Sequence, residues 1–272
     1  LAERLSIQGE DEISTLARSF NHMATSLEDQ IERLESLSKV QRLFVSDVSH
    51  ELRTPLASIR LATEQIQDAR EEISDPFALR SIQVLSSSVD RFETMLTDLL
   101  DISRLESGRV TPDRNPFPLA TLFDTLGTEF TALAREQGVN FRVHGSKLRV
   151  DSDIRLLRRV LQNFLTNAFR YAKGRVVLGV RRQGSSLRLE VWDRGPGIPE
   201  DKRQVIFEEF KRLDSHQTRA EKGLGLGLAI ADGLCRVLGH RLEVRSWPGK
   251  GSVFSVSVPL ARELPQSSAS KK

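Results

Sequence analysis

Four short strings in this chain carry residue types that can do chemistry. The first is Ser49-His50-Glu51-Leu52-Arg53-Thr54-Pro55-Leu56. An imidazole on a helix titrates near neutrality and offers a nucleophilic nitrogen. Glu51 beside it can orient the ring or take its proton. Thr54 is four residues on and shares the helical face of His50. Pro55 weakens the helix by removing a donor and crowding the preceding turn. A His-Glu pair alone is most often a surface feature; the eight-residue string is far more specific.

The second string is Asn163-Phe164-Leu165-Thr166-Asn167-Ala168-Phe169-Arg170-Tyr171. Asn163 and Asn167 fall on one helical face, and amide oxygens suit Mg²⁺, a hard cation that keeps waters and phosphate oxygens. Two capping or surface amides are the plain alternative. In the third, Asp193-Arg194-Gly195-Pro196-Gly197-Ile198-Pro199, a carboxylate stands at the end of a strand pattern. It could accept a hydrogen bond from a purine amino group, while Gly195 and Gly197 let the backbone approach a flat ligand. Alone, Asp-x-Gly-x-Gly is a common turn. The fourth, Gly223-Leu224-Gly225-Leu226-Gly227-Leu228, leads into a helix. Unpaired N–H groups and the dipole at such a start favour anions. It is neither the dinucleotide Gly-x-Gly-x-x-Gly nor a P-loop. Between the third and fourth strings, Phe207-Glu208-Glu209-Phe210 offers two aromatic anchors for core or lid, and the charged stretch Arg203–Lys222 suits a mobile lid.

The elements that must position these strings divide into two kinds. Up to residue 107 the chain has Pro only at 55 and 76 and Gly only at 9. Phe20, Met23, Leu27, Leu34, Leu37, Phe44 and Val48 form one apolar seam, and Leu79, Ile82, Leu85, Val89, Phe92, Leu96, Leu99, Ile102 and Leu105 another. Sustained heptad-like spacing of this kind predicts long helices joined by a charged turn at Asp68–Pro76, where Ser-Asp-Pro is a helix-start signal. Two such helices leave seam surface over, which a dimer forming a four-helix bundle would bury. Residues 108–118 carry three prolines and a glycine and read as a linker.

Beyond it, helical and β-branched runs alternate. Leu119–Gln137 reads as a helix ended by Gly138. Asn140–Val143 and Leu148–Val150 read as strands. Asp153–Tyr171 reads as an amphipathic helix with Asp151 and Asp153 as alternative caps. Arg175–Arg182 and Leu187–Asp193 form a strand pair around Gln-Gly-Ser-Ser, and Arg241–Ser246 and Ser252–Pro259 close the domain around Pro248-Gly249-Lys250-Gly251. The expected class is α+β: a helical hairpin followed by an α/β sandwich with a largely antiparallel sheet.

Composition excludes more than it selects. With 39% hydrophobic and 28% charged residues the 272-residue chain is not a disordered one. Lys+Arg 40 against Asp+Glu 37 argues neither for nucleic acid nor for a membrane surface. The single Cys235 can form no intramolecular disulfide, which fits a reducing compartment, and five scattered His give a zinc site little support. No apolar run reaches the length of a membrane span. Leu1-Ala-Glu-Arg lacks an initiator Met and a signal-peptide pattern, and reads as the interior of a longer protein.

Taken together, the strings resemble the sensor histidine kinases of bacterial two-component systems over about residues 1–261. Ser49–Leu56 is similar to the family's H box, Asn163–Tyr171 to its N box, Asp193–Gly197 and Gly223–Gly227 to its two glycine boxes, and Phe207–Phe210 to its F box. Gly9–Met23, with Asp11-Glu12-Ile13 and Phe20-Asn21-x-Met23, resembles the last part of a HAMP module. The resemblance implies five segments: the end of HAMP at 1–29, a dimerisation and phosphotransfer hairpin at 30–107, a linker at 108–118, a Bergerat (GHKL-type) ATP-binding domain at 119–261, and a disordered tail at 262–272. It makes His50 the phospho-acceptor, Glu51 its base and Thr54 the residue that positions water for phosphatase activity. Asn167 would hold Mg²⁺, with Asn163 beside it or beside phosphate. Arg170 and Tyr171 would contact nucleotide; the family often has Lys where Arg170 stands, so the charge is kept and its geometry changed. Asp193 would read the adenine amino group, and Gly195, Gly197, Gly223, Gly225 and Gly227 would shape the pocket and lid.

The implied cofactors are ATP and Mg²⁺. The implied partners are a second copy of the chain and the receiver domain of a response regulator, with no nucleic acid and with a membrane only through an upstream region. The fragment would face the cytoplasm, in a parent protein of the inner membrane. A GHKL-type ATPase or clamp and a non-catalytic dimeric scaffold are the competing readings. The stretch to about Leu105 is most similar to actinobacterial sensor kinases, and the rest to proteobacterial hybrid kinases, which raises a mosaic joined near residues 101–108.

Overall fold

The computed structural model describes residues 20–21, 23–24, 52, 56–57, 59–64, 66, 76–172, 174–211 and 225–261. His50, Glu51, Thr54 and Gly223, most of the HAMP-like stretch, the turn before Pro76 and the tail after 261 lie outside them.

Helix α1 spans Pro76–Glu106. Pro76 takes its first position, where the missing N–H would have no intrahelical partner anyway. The helix stops at Gly108, whose φ of 65° closes the chain back through its N–H onto the Leu105 carbonyl. The described residues between 52 and 66 are helical. Leu56 packs there against Val89 and Leu96 of α1, and Arg60 reaches Glu93 at 2.9 Å. The opposite side of α1 carries Leu99, Ile102 and Leu105, which pack onto the second half of the chain. α1 is therefore shared between two bodies.

The second half is a five-stranded sheet of order β2-β4-β5-β7-β6, with a separate β1-β3 pair. The strands are β1 (Asn115–Pro118), β2 (Asn140–His144), β3 (Arg149–Ser152), β4 (Arg175–Gln183), β5 (Ser186–Asp193), β6 (Arg241–Trp247) and β7 (Gly251–Pro259). Only β2 and β4 pair in parallel within the sheet. Alternation sends Val176 and Leu178, Leu187, Leu189 and Val191, and Phe254, Val256 and Val258 to one face. Helices α2 (Leu119–Gln137), α3 (Ile154–Tyr171) and α4 (Gly227–Leu238) cover that face with a single core.

The prolines and glycine of 108–118 predict a linker, and the structure departs from this at its end. Asn115–Pro118 pairs antiparallel with β3, from Asn115 opposite Ser152 to Pro118 opposite Arg149. Two prolines are tolerated because β1 is an edge strand with one neighbour.

Local chemistry fixes the orientation of α3. Of the two candidate caps, Asp153 is the one used: its carboxylate accepts from the N–H of Arg155 at 2.9 Å and of Leu156 at 3.2 Å. The Asp113 N–H adds a third bond at 2.9 Å. Burial alone would raise this carboxyl's pKa, but the three backbone donors and Arg155 hold it below its ordinary value. The stripe Leu157, Val160, Leu161, Phe164, Leu165, Ala168 and Phe169 is buried. At ~1.5–3 kcal/mol per large apolar side chain, this burial dominates the helix's stability. Phe164 meets Phe254 at 5.6 Å between centroids, and Phe169 lies 5.4 Å from Phe141 and 5.5 Å from Phe130. These contacts lock the rotation of α3 and leave Arg159, Asn163, Asn167 and Arg170 on a different stripe, three to four residues apart.

Candidate functional site

Asp193 ends β5 between Val176 of β4 and Ser252 of β7. Its Oδ1 accepts the Gly195 N–H at 2.7 Å. Burial pushes its carboxyl pKa up, and the backbone donors of Gly195 and Ser252 offset that in part. A half-buried carboxylate fixed at a strand end, with acceptor capacity left over, is suited to reading a ligand N–H.

The glycines around it are demanded by contact. A Cβ on Gly195 would stand 2.7 Å from that Oδ1 and 3.0 Å from the Tyr171 carbonyl oxygen. Gly197 has φ of 73°, and a Cβ there would run into the Trp247 carbonyl. The loop is pinned to the β6–β7 turn: Ile198 N–H donates to Ser246 Oγ at 2.7 Å, and Gly249 N–H to the Pro196 carbonyl at 2.7 Å. Arg203 adds a bond to the Ser246 carbonyl at 3.0 Å. Ser246 is buried and also meets Ser252 Oγ at 2.8 Å, so it braces the loop that carries the glycines. Sequence reasoning missed it. Its only signal is its place beside Pro248-Gly249-Lys250-Gly251, a turn pattern between two strand patterns.

Helix α4 begins at Gly227, at the end of the glycine string, and Gly225 just before it has φ of 79°. A Cβ on Gly227 would come 3.1 Å from Asn163 Oδ1, so α3 and α4 meet at these two residues. The Asn163 Nδ2 is buried and has no hydrogen-bond partner. A buried amide donor left unpaired is costly, and phosphate oxygens would satisfy it. Beside it lie Asn167, half-buried and able to offer an amide oxygen to a hard cation, and the helix N-terminus, which favours anions. The residues present therefore fit a nucleotide triphosphate with a divalent cation.

The structure thus brings Tyr171, Asp193 and Gly195 together at one end and Asn163 and Gly227 at the other, with Asn167 and Arg170 between on α3. Of the aromatic pair, Phe207 packs on the core, whereas Phe210 is 58% exposed with a left-handed φ of 61°. Only one of the two is a core anchor, and Ile206 supplies the buried position beside it. Cys235 is buried in α4 with its thiol pushed up to about 12 by burial and by Asp232. Among the described residues no cluster of His, Cys, Asp and Glu could hold a metal ion, and no helix is long and apolar enough to cross a membrane.

Comparison with known proteins agrees with this geometry. Residues 152–262 match the model of the histidine kinase-, DNA gyrase B- and HSP90-like ATPases. Residues 40–108 match the His kinase A phospho-acceptor domain, and 1–29 the HAMP domain. The chain is 37% identical over 265 residues to the sensor histidine kinase MtrB of Mycobacterium tuberculosis, covering 96% of this chain and 47% of MtrB. The chain belongs to the sensor histidine kinases. It is also 30% identical over 264 residues to the signal transduction histidine-protein kinase BaeS of Escherichia coli, covering 96% of this chain and 54% of BaeS. The chain spans about half the length of these kinases. Full-length ShkA in complex with AMPPNP superposes with a TM-score of 0.66 at 26% identity, over 80% of this chain and 45% of ShkA. The Acinetobacter baumannii histidine kinase AdeS, at 20% identity and a TM-score of 0.52 over 78% of this chain and 98% of AdeS, shares the fold. The alignments to MtrB and to BaeS both run across residues 101–108.

Proposed function

We propose that this chain is the kinase portion of a membrane-anchored sensor, in which ATP bound by the second domain phosphorylates His50 on the first. The observation that carries the reading is the buried, unpartnered Asn163 Nδ2, on a side chain whose Oδ1 meets the start of α4, about two turns of α3 before Tyr171 and the Asp193 loop. It supports a reading in which phosphate is bound beside the start of α4 and adenine is read at Asp193. Asp193 accepts the adenine amino group, Gly195 and Gly197 keep the backbone clear for the ring, and Tyr171 and Arg170 line the nucleotide. Gly223, Gly225 and Gly227 form the phosphate side and its lid. Mg²⁺, held by Asn167 with Asn163 beside it, would neutralise phosphate charge.

The transfer itself is mostly positioning. A ring nitrogen of His50 attacks the γ-phosphorus, the bond to the β-phosphate oxygen breaks, and ADP leaves with the electron pair. Glu51 receives the proton that the imidazole gives up. The phosphoryl group then passes to a receiver-domain aspartate of a response regulator, and Thr54 positions water when the chain acts as a phosphatase. A second copy completes the hairpin: Phe77 at 79% exposure and Val84 at 60%, with Leu85 and Phe92, form an apolar stripe on α1 that a four-helix bundle would cover. The HAMP match over 1–29 supports attachment to a membrane upstream.

Single-turnover product analysis tests the reading against ATP hydrolysis. ADP formed in step with protein-bound phosphate is the expected result. ADP formed in step with free phosphate, with none on protein, would make the chain an ATPase or clamp.

A further inference from the structure

The helices cover one face of the five-stranded sheet, and the other face is cationic. Register places Arg181, Arg188 and Arg241 in one row, on β4, β5 and β6. A second row runs from Arg142 on β2 through Trp192 to Arg245 on β6. Between the rows stand Glu190 and Glu243, with the small Gly179 and Ser255 beside them. Glu190 meets Arg188 at 2.9 Å and Arg245 at 3.5 Å, and Glu243 meets Arg241 at 2.9 Å and Arg188 at 3.6 Å. These carboxylates lie low, at 5% and 32% exposure, beneath Arg245 at 44% and Arg241 at 79%. Solvent therefore meets guanidinium. Arg142 and Arg181 are exposed and have no ion-pair partner among the described residues. Arg181 stands directly opposite Arg188, a like-charge pair that weakens a sheet. The Arg245 guanidinium lies 5.9 Å above the Trp192 ring. Alternation turns the exposed Trp247 the same way as Arg245, so both tryptophans of the chain are on this face. The near-neutral balance of the whole chain hides a separation of charge. Residues 119–261 hold 24 Lys and Arg against 15 Asp and Glu, and residues 1–118 hold 13 against 21.

We propose that this open face of the sheet is a docking surface for the anionic headgroups of a lipid bilayer, formed by Arg142, Arg181, Arg188, Arg241 and Arg245 with Trp247. Five strands at ~4.8 Å spacing make a face about 19 Å across, broad enough to lie against a bilayer. Guanidinium forks pair with lipid phosphates, and tryptophan favours the headgroup level. Lipid phosphate also relieves the Arg181–Arg188 repulsion. The acidic first part of the chain is repelled by the same bilayer, which leaves this domain as the part that approaches it. Leu56 packs on Leu96 and Arg60 pairs with Glu93, so α1 runs back along the helix before it. It carries the domain toward the end of the chain that matches HAMP. Tethering there raises the local concentration of lipid. That nearness rests on the membrane attachment proposed above; the affinity of the face for anionic lipid does not. Two other features carry less: the open groove beside α2 and β2 shows nothing of what would fill it, and buried His240 bonds Ser152 as a structural brace.

The test is co-sedimentation of the whole chain with phosphatidylcholine vesicles, with and without phosphatidylglycerol, at low and high salt. The wild type should bind the phosphatidylglycerol vesicles alone and leave them at high salt. Arg142→Gln/Arg181→Gln removes two exposed arginines that hold no ion pair, and should weaken binding roughly 10-fold or more. Arg135→Gln/Arg236→Gln takes the same charge from the helices α2 and α4, and should bind within about 2-fold of wild type. Melting curves of both variants should match wild type, which separates lost binding from lost folding. Tryptophan emission should shift to the blue on binding, and less so in Trp247→Phe. Equal weakening by the two double variants would make the attraction one of net charge and overturn the assignment of the face. So would a Trp emission that vesicles leave unmoved. No binding to phosphatidylglycerol vesicles, or tighter capture by polyglutamate or by RNA than by those vesicles, overturns the lipid. AMPPNP titration of the same wild-type sample reads the nucleotide proposal separately: its failure there, with vesicle binding intact, would overturn that reading and leave this one standing.

Discussion

Replacing Asp193 by Asn alters one terminal group and leaves the shape of the site in place. In the native chain Oδ1 accepts the Gly195 N–H at 2.7 Å, and the Ser252 N–H also faces the carboxylate. An Asn side chain keeps one oxygen for Gly195, so the loop has no reason to move. Its other group becomes an NH₂ donor, which cannot accept from an adenine amino group. A hydrogen bond to a charged group is worth roughly 1.5–3 kcal/mol. At ~1.4 kcal/mol per decade, ATP affinity should fall about 10- to 150-fold. Guanine carries a carbonyl at the same ring position, so the variant's NH₂ can donate to it. Asp193→Asn should therefore bind GTP at least as well as wild type does. Calorimetric titration with both nucleotides measures this, alongside a melting curve to show that the fold persists. Unchanged ATP affinity with unchanged preference over GTP would remove Asp193 from the adenine site and refute the polarity argument.

Three further outcomes follow from the packing. Gly197→Ala forces a left-handed φ on a side chain whose Cβ meets the Trp247 carbonyl; it should cost at least ~2 kcal/mol in urea unfolding. Gly227→Ala pushes a Cβ to 3.1 Å from Asn163 Oδ1 at a helix start that tolerates Ala; it should weaken AMPPNP binding about 10-fold while leaving stability within ~1 kcal/mol. Burial and Arg114 hold His240 down from 6.5 to about 4. A depressed folded pKa means the unfolded chain takes up the proton first, so stability is full above 6.5 and falls as pH drops toward 4. That loss is up to ~3 kcal/mol, and unfolding midpoints between pH 7 and 5 should drift less in His240→Gln.

Much of this was legible because local signals and tertiary packing agreed. Gly138 ends its helix in a left-handed conformation, as its place in the sequence predicts, and the buried stripe of α3 is plain in the periodicity of Leu157, Val160, Leu161 and Phe164. The Asp193 loop and the asparagines of α3 stand out in the sequence by residue type and spacing. β1 was hidden by Pro116 and Pro118, which argue against a strand unless its edge position is known. Ser246 was invisible because its role comes from a loop 48 residues away, at Ile198. Arg159 with Asp98 and Asp101 carries no local signal, since the partners lie 61 and 58 residues apart and only folding brings them together.

The central claim is that ATP bound in the second domain phosphorylates His50. It is tested most directly by incubating the chain with γ-labelled ATP and Mg²⁺, beside His50→Ala. The account predicts label on the wild-type protein that is acid-labile, alkali-stable and absent from His50→Ala. Label that survives acid, or that persists in His50→Ala, would contradict it.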